Sequence, residues 1–379
     1  MENKESIKIL QVFGKLNRGG AETMLMNIYR KIDRNKFQFD FIIHTKEKCD
    51  YNDEIEKLGG KIYSIPRYKI YNHFQYKKAW KNFFAQHPEY KIIHSHVRST
   101  ASIYLKIAKK YGLKTVAHSH STSSGKGIRA IIKNILQYRI RFAADCFLGC
   151  SQEANRWLFG KKIANSKKCM VLKNGIELNK FLFNTETREK IREKLGVKEN
   201  EILIGHVGRF VKVKNHSFLI KVFKKYYNDV NNNTKLLLIG DGCLKEKVSK
   251  KVKKIGLEKQ VIFKEKITNV QDYYNAMDIF VFPSLFEGLG IVLIEAQLSG
   301  LNCIISKNIP EEAIISKNVK RINEFNVNQW VNAIKFDIQK CNNREMLEKK
   351  GRKENYDINY TTKQIEKFYM KLNLRKKEE

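Results

Sequence analysis

Proline is scarce, 4 in 379 residues, and no long serine, glycine or glutamine tract interrupts the chain, which argues against extensive disorder. No apolar window approaches membrane-spanning length. The apolar run near the start, Ile7 to Phe13, follows an acid-containing polar stretch and is too short for a secretory signal, so the expected compartment is the cytoplasm. The 7 cysteines, at positions 49, 146, 150, 169, 243, 303 and 341, form no CxxC pair. Most sit in apolar segments, with Cys146 and Cys150 expected in the core, which fits a reduced interior better than a disulfide framework or zinc. A DxD triplet is also absent, so no carboxylate pair is evident to hold Mg²⁺ on a diphosphate.

Acidic residues are in the minority, 39 against 73 basic, for a net charge of +34. Such a balance calls for an anionic partner: nucleic acid, membrane lipid or a phosphorylated substrate. The charge is spread along the chain, and no aromatic stacking platform, basic recognition helix or zinc spacing supports nucleic acid. Hydrophobic residues make up 42% and charged residues 30%, a soluble globular composition, and the length implies two domains.

The chain begins as strand, loop and helix: Ile7 to Phe13, a glycine-containing loop from Gly14 to Gly20, then a helix from Ala21 to about Arg30. Strand-like runs follow at Phe39–Ile43, Lys61–Ile65, Ile92–His96, Thr115–His120 and Cys146–Cys150, with helical periodicity at Tyr76–Phe84 and Ala101–Tyr111 between them. This alternation predicts a parallel, doubly wound α/β sheet over residues 1–178. Asn174 and Gly175 make a turn, and the polar stretch from Leu178 to Arg192 reads as a linker. A second series, Ile202–Val207, Lys235–Ile239, Gln260–Phe263, Asp278–Phe282 and Asn302–Ile305, predicts a second Rossmann-like domain over 179–355. The tail from Asn343 to Leu372 is helical and charged, with Ile365, Phe368, Tyr369 and Leu372 as its packing stripe; residues 356–379 form a C-terminal helix that could return to the first domain.

The stretch from Asp278 to Gly300 holds the densest chemistry. A buried strand ends at Pro283 and Ser284, and a helix starts near Gly290, so Gly288 and Gly290 let backbone N–H groups approach an anion where the helix dipole favours it. Glu287 lies in the loop, and Glu295 stands about one turn into an otherwise mostly apolar helix, where an acid needs a partner. Arg209 and Lys214 sit just beyond the first strand of the second series, a fork and a point charge suited to a leaving diphosphate. Gly240, Asp241 and Gly242 form a tight strand-to-helix turn.

Five motifs, GGAE at Gly19–Glu22, NGIE at 174–177, GRxxxxK from Gly208 to Lys214, the GDG turn and PSLFEGLGIVLIEA, fall in one order at matching strand ends. In this the chain resembles the retaining glycosyltransferases of family GT4, with the GT-B fold of two Rossmann-like domains facing across a cleft. The resemblance spans nearly the whole chain, and the two acids with seven residues between them are its most specific element. It implies transfer of a sugar from a nucleotide-sugar, a UDP-sugar being expected. Arg209 and Lys214 would bind the diphosphate, Glu287 the donor-sugar hydroxyls and Glu295 the ribose hydroxyls. The amides of Gly288, Leu289, Gly290 and Ile291 would complete the phosphate site, and Gly19 and Gly20 would lie against the phosphates from the opposite domain. His120 would hydrogen-bond the donor sugar and support its positive character in the transition state, with His118 orienting it; the similar pair His94 and His96 reads as structural. No enzymic base or nucleophile is evident, in keeping with front-face retention, and no metal or other cofactor is expected. Two departures stand out: Glu177 where the family has Asp, and Lys264-Glu265 where a glycine is common beside the base, which leaves the base open. An epimerase-like nucleotide-sugar enzyme is the nearest alternative, but it would need its own acid and base and no acceptor.

From Lys126 to Phe142 runs an amphipathic basic helix, with Ile128, Ile131, Ile132, Ile135 and Leu136 on one stripe and Lys133, Arg139 and Arg141 elsewhere. Two roles are open to it: a sheet-covering helix that buries its isoleucines, or a surface that docks on an anionic inner leaflet and meets a lipid-linked oligosaccharide acceptor. The expected setting is peripheral, on the inner face of the plasma membrane, in capsule or exopolysaccharide assembly.

Overall fold

The computed structural model describes residues 6–123, 127–265, 267–339, 344 and 348–374; Lys126, Cys341 and the start of the tail at Asn343 lie outside them. The chain divides into two compact units, Met1–Ile176 with Asn355–Glu379, and Glu177–Glu354.

The first unit is built on β1 (Ile7–Phe13), β2 (Phe37–Ile43), β3 (Ile62–Ser64), β4 (Ile92–Ser95), β5 (Lys114–Ser119), β6 (Cys146–Gly149) and β7 (Cys169–Val171), in the order β3-β2-β1-β4-β5-β6-β7. All pairs are parallel. Near-continuous apolar runs suit strands buried on both faces. One face is covered by helices Gly20–Lys31 and Ile358–Leu374, whose Met24, Ile28, Ile365 and Tyr369 pack with Ile9 and Phe39. The final helix thus belongs to the first unit, and Ile365, Tyr369 and Leu372 are its buried stripe. Order reverses between β1 and β4, and the residues that matter below, Gln11, His94 and His96, lie at that reversal.

The second unit contains β8 (Ile202–Val207), β9 (Thr234–Ile239), β10 (Val261–Lys264), β11 (Ile279–Phe282), β12 (Asn302–Ser306) and β13 (Val319–Ile322), ordered β10-β9-β8-β11-β12-β13 and again parallel. Here the order reverses between β8 and β11, which brings the loops that follow them side by side. Two parallel doubly wound sheets meet the α/β expectation. Strands β7 and β13 were not anticipated from sequence, being short and only partly buried.

Residues 178–192 are not a linker. They form a short 3-10 turn, Leu178–Phe181, and the first part of helix Thr185–Leu195, which the second unit holds by charge. Arg188 and Arg192 reach Asp278 at 2.6 and 3.1 Å, and Asp278 also accepts from the Leu203 amide at 2.7 Å. A helix with little apolar surface is therefore fixed by a carboxylate at the foot of β11. Asp278→Ala leaves two guanidinium groups without this partner and is expected to lower stability by about 3 kcal/mol, read as a shifted denaturant midpoint. An unchanged midpoint would contradict this anchoring.

Of the cysteines, Cys146 and Cys150 are buried as expected, whereas Cys243 is exposed on the turn after β9. No helix among the described residues is long and apolar enough to cross a membrane.

Candidate functional site

The loop after β8 carries Gly208, Arg209 and Lys214, and the loop after β11 carries Glu287, Gly288 and Gly290. A backbone hydrogen bond from Leu285 N to Val213 O, 2.8 Å, ties the loops together. The GDG turn closes against the first: Gly240 has φ +144°, and a Cβ there would stand 2.4 Å from the Gly208 carbonyl oxygen, so only glycine fits this approach. Phe210 N donates to Asp241 O at 2.8 Å.

Within this frame Lys214 Nζ lies 2.8 Å from Glu287 Oε1 and 4.7 Å from the centroid of the Phe282 ring. Both charged side chains are mostly buried, 14% and 13% exposed. The cation is thereby pinned between a carboxylate and an aromatic face at the end of β11. Arg209 is exposed and has no ion-pair or hydrogen-bond partner for its guanidinium among the described residues. The two cations expected on one diphosphate thus occupy one loop, but only Lys214 is held in place.

Helix Ile291–Leu298 starts at Gly290, which adopts φ +86° and ψ +51° and provides no side-chain cap. The left-handed turn suits glycine and leaves the first helical amides uncapped by a side chain. Glu295 lies along the first turns of this helix and accepts a hydrogen bond from the Tyr274 hydroxyl at 2.9 Å. Burial pushes its carboxyl up from 4.5 to about 7, opposed by the Tyr274 hydrogen bond and by the charge of Lys214. Burial and the neighbouring Glu295 push the Tyr274 hydroxyl well above its ordinary range. Tyr274 is the partner that Glu295 required, and it lies on a separate helix, Val270–Ala276, with no motif to announce it. Downstream of β10, Glu265 pairs with Lys245.

In the first unit, Gly19 caps helix Gly20–Lys31 with extended backbone and no side-chain cap, and the Glu22 carboxylate folds back so that a Cβ on Gly19 would fall 2.4 Å from its Oε2.

Strands β1, β4 and β5 place Gln11, His94, His96, His118 and His120 on one face near their carboxyl ends, because Gln11 is level with His94 and alternate residues share a face. His94 Nε2 is 3.2 Å from His118 Nδ1, and His96 Nδ1 is 2.8 Å from His120 Nε2. The two pairs stack, His94 on His96 at 4.4 Å and His118 on His120 at 4.0 Å between centroids. His94 and His96 are thus hydrogen-bonded to the histidines at the end of β5 rather than standing apart from them. The group in hydrogen-bond contact with His120 is His96, and His118 stacks on it. Burial, reinforced by the other histidines or by Arg98, pushes all four imidazoles down, His94 and His120 to about 3, so they are neutral at physiological pH.

Among the described residues, His94, His96 and His118 form a group with nitrogens within 4.8 Å of one another. Their arrangement does not suit a cation. The His94 and His118 planes are 9° apart with centroids 5.2 Å apart, so the nitrogens 3.2 Å apart point nearly in line. A metal between them would sit about 1.6 Å from each, half of 3.2 Å and well inside a roughly 2.0 Å imidazole–metal bond.

Helix Ile128–Tyr138 departs from the sheet-covering reading. Ile128, Ile131, Ile132 and Ile135 are 77%, 58%, 44% and 65% exposed, while Ala130 and Gln137 turn inward. The helix touches helices Ala101–Lys110 and Gln152–Ala164 with its small side, and among the described residues nothing covers the isoleucines. Lys133 and Arg139 are exposed beside them, Leu136 is half-buried, and Arg141 is drawn back to the Leu158 carbonyl at 3.1 Å. A second exposed apolar group, Ile70, Tyr71 and Phe74, was not singled out in the sequence because it lacks a periodic stripe.

The chain is similar to known proteins over most of its length. Residues 187–354 match the family described as glycosyl transferases group 1, and residues 18–180 match glycosyltransferase family 4. EpsF of Bacillus subtilis (strain 168), assigned as a glycosyltransferase, is 33% identical over 314 residues, 82% of this chain and 82% of EpsF. CapH of Staphylococcus aureus, a capsular polysaccharide biosynthesis glycosyltransferase, is 26% identical over 96% of this chain and 99% of its own. Among solved structures, HepE of Anabaena in complex with UDP-glucose superposes with a TM-score of 0.77 at 18% identity, covering 96% of this chain and 100% of HepE, which shows the GT-B fold.

Proposed function

Because this chain belongs to the group 1, family 4 glycosyltransferases, we propose that it is a retaining enzyme that moves a sugar from a UDP-sugar to a lipid-linked glycan during assembly of a bacterial surface polysaccharide. The observation that carries the reading is the held cation: Lys214 is fixed by Glu287 and Phe282 beside the uncapped start of helix Ile291–Leu298, with Glu295 one turn along. Open parallel sheets bind nucleotides beyond their carboxyl edge, where strand order reverses. We assign Lys214 and Arg209 to the diphosphate, the amides of Gly288 to Ile291 to a phosphate, Glu287 to the donor-sugar hydroxyls and Glu295 to the ribose. Gly19 and Gly20, at their own helix start, are assigned to the donor phosphates, and His120 to the donor sugar.

In the transfer, the bond from the anomeric carbon to the diphosphate oxygen breaks and the acceptor oxygen adds on the same face. The acceptor proton passes to the departing phosphate. The fixed cation of Lys214, with Arg209 in the same loop, stabilises the charge that grows on the leaving oxygen, which is the place a metal would otherwise fill, so the reaction is assigned no metal. HepE with bound UDP-glucose supports the uridine donor, and the role of CapH supports a polysaccharide product. Incubation with UDP-sugars and polyprenyl-diphosphate-linked glycans, with the new linkage read by NMR, tests the reading. Retained anomeric configuration is expected, and inversion would contradict it.

The exposed face of helix Ile128–Tyr138 is assigned to an anionic cytoplasmic leaflet, its isoleucines entering the interface and Lys133 and Arg139 meeting headgroups at about 1 kcal/mol each. The double substitution Ile131→Glu with Ile135→Glu is expected to weaken co-sedimentation with phosphatidylglycerol vesicles by more than roughly 100-fold, since each isoleucine buried contributes about 1.5–3 kcal/mol. Equal partitioning of the variant and the wild type would sink the membrane assignment.

A further inference from the structure

The histidine square carries more than a stacked core. The Gln11 amide turns Oε1 toward His96 Nε2 at 2.9 Å and Nε2 toward the Tyr369 hydroxyl at 3.1 Å. A carbonyl oxygen can only accept, so His96 Nε2 holds the proton. In a neutral ring His96 Nδ1 is then an acceptor, and His120 Nε2 must donate to it. His120 Nδ1 is left as a bare lone pair, and this buried atom has no partner among the described residues.

The second arm runs the other way. The Tyr369 hydroxyl accepts from Gln11 and donates to His94 Nδ1 at 2.7 Å. His94 Nε2–H therefore donates to His118 Nδ1, and His118 Nε2 carries a proton that, like the lone pair of His120, is buried without a partner among the described residues. Turning the one amide over would invert every assignment. A single side chain on β1 and a tyrosine contributed by the last helix thus decide what two imidazoles present at the end of β5.

We propose that Gln11 and Tyr369 are positioning residues that fix these tautomers, so that His120 meets the substrate as a hydrogen-bond acceptor for a sugar hydroxyl while His118 presents a donor. This rests on the reading that His120 faces the donor sugar. An imidazole that accepts from a hydroxyl selects a different sugar edge from one that donates, so the amide sets specificity from a distance. A buried donor and a buried acceptor that lack partners among the described residues also make the unliganded arrangement costly, and a hydroxylated ligand relieves that cost.

The test is the ¹⁵N spectrum of labelled histidines in the full chain at pH 7, which separates bare from protonated ring nitrogens, with UDP release from the accepted UDP-sugar measured on the same samples. His120 is expected with Nε2 protonated and Nδ1 bare. Gln11→Met should mix the His120 tautomers and lower turnover roughly 5- to 10-fold, the effect of one lost hydrogen bond, while UDP affinity stays as in wild type. Gln11→Glu can still accept from His96 but cannot donate to Tyr369; it should keep the His120 tautomer, reverse that of His94 and His118, and recover turnover relative to Gln11→Met. A proton on His120 Nδ1, or wild-type turnover in Gln11→Met, overturns the proposal. Wild-type turnover in His120→Ala would instead remove His120 from the substrate and overturn the site assignment on which the proposal stands, whatever the spectra show.

Discussion

Lys214→Ala is expected to lower kcat/KM for the nucleotide-sugar by roughly two to three orders of magnitude, the scale seen when one preorganised donor to a developing negative charge is removed. The size follows from the setting. Lys214 is mostly buried, 2.8 Å from Glu287 and against the Phe282 ring, so its charge is poorly screened and needs no reorganisation as the diphosphate departs. Exposed Arg209 is assigned to the same diphosphate but is screened by water, and Arg209→Ala should cost less. Removing Lys214 also leaves Glu287 without its cation. Glu287→Gln in the Lys214→Ala background separates the two effects: if repulsion of the donor by the Glu287 carboxylate dominated, the second change would restore most of the activity, whereas a loss of charge stabilisation leaves it low. Steady-state kinetics of the three variants decide between them.

Donor affinity should fall with acidity through the range around pH 7, where a protein relying on ordinary carboxylates would show no change. Burial holds the Glu295 carboxyl up at about 7, and its assigned task, accepting from the ribose hydroxyls, needs the carboxylate. Below that value binding must expel a proton, so Kd is expected to rise about tenfold per pH unit. Stability runs the opposite way. The folded-state pKa lies above the ordinary 4.5, so protonation favours the folded state; that contribution is complete below 4.5 and is lost as pH rises through about 7. Opposite slopes for binding and stability identify one group as the source of both. In Glu295→Gln both slopes should flatten, measured by calorimetric titration of UDP and by denaturant unfolding across pH 5 to 8. Tyr274→Phe removes the hydrogen bond that opposes the upward shift, so the affinity change should move to higher pH.

The sheets were legible in the sequence where a run of apolar residues is long enough to be buried on both faces: β8 spans Ile202–Val207 in both readings. The edge strands β7 and β13 escaped because Cys169–Val171 is short and Val319–Ile322 is interrupted by Lys320 and Arg321. The stretch 178–192 reads as a linker because what holds helix Thr185–Leu195 is Arg188 and Arg192 on Asp278, not an apolar stripe. Periodicity revealed that the isoleucines of Ile128–Tyr138 share a face, but a stripe does not say whether anything covers it. Glu287 and Lys214 could be picked out because each lies in a glycine-containing loop beyond a strand end, and Glu295 because it is an acid in an otherwise mostly apolar helix. Tyr274, Gln11, His96 and Tyr369 could not be matched to their partners, since their contacts join strands and helices far apart in the chain; Gln11 and Tyr369 are separated by 358 positions.

The most direct test of the central claim is a binding and slow-hydrolysis screen of the purified protein against UDP-, GDP- and ADP-sugars in the presence of EDTA, with Lys214→Ala and Glu295→Ala alongside. The account predicts that a UDP-sugar is bound and cleaved without metal and that both variants lose this. Failure to bind any nucleotide-sugar, or variants that behave as the wild type does, would contradict it.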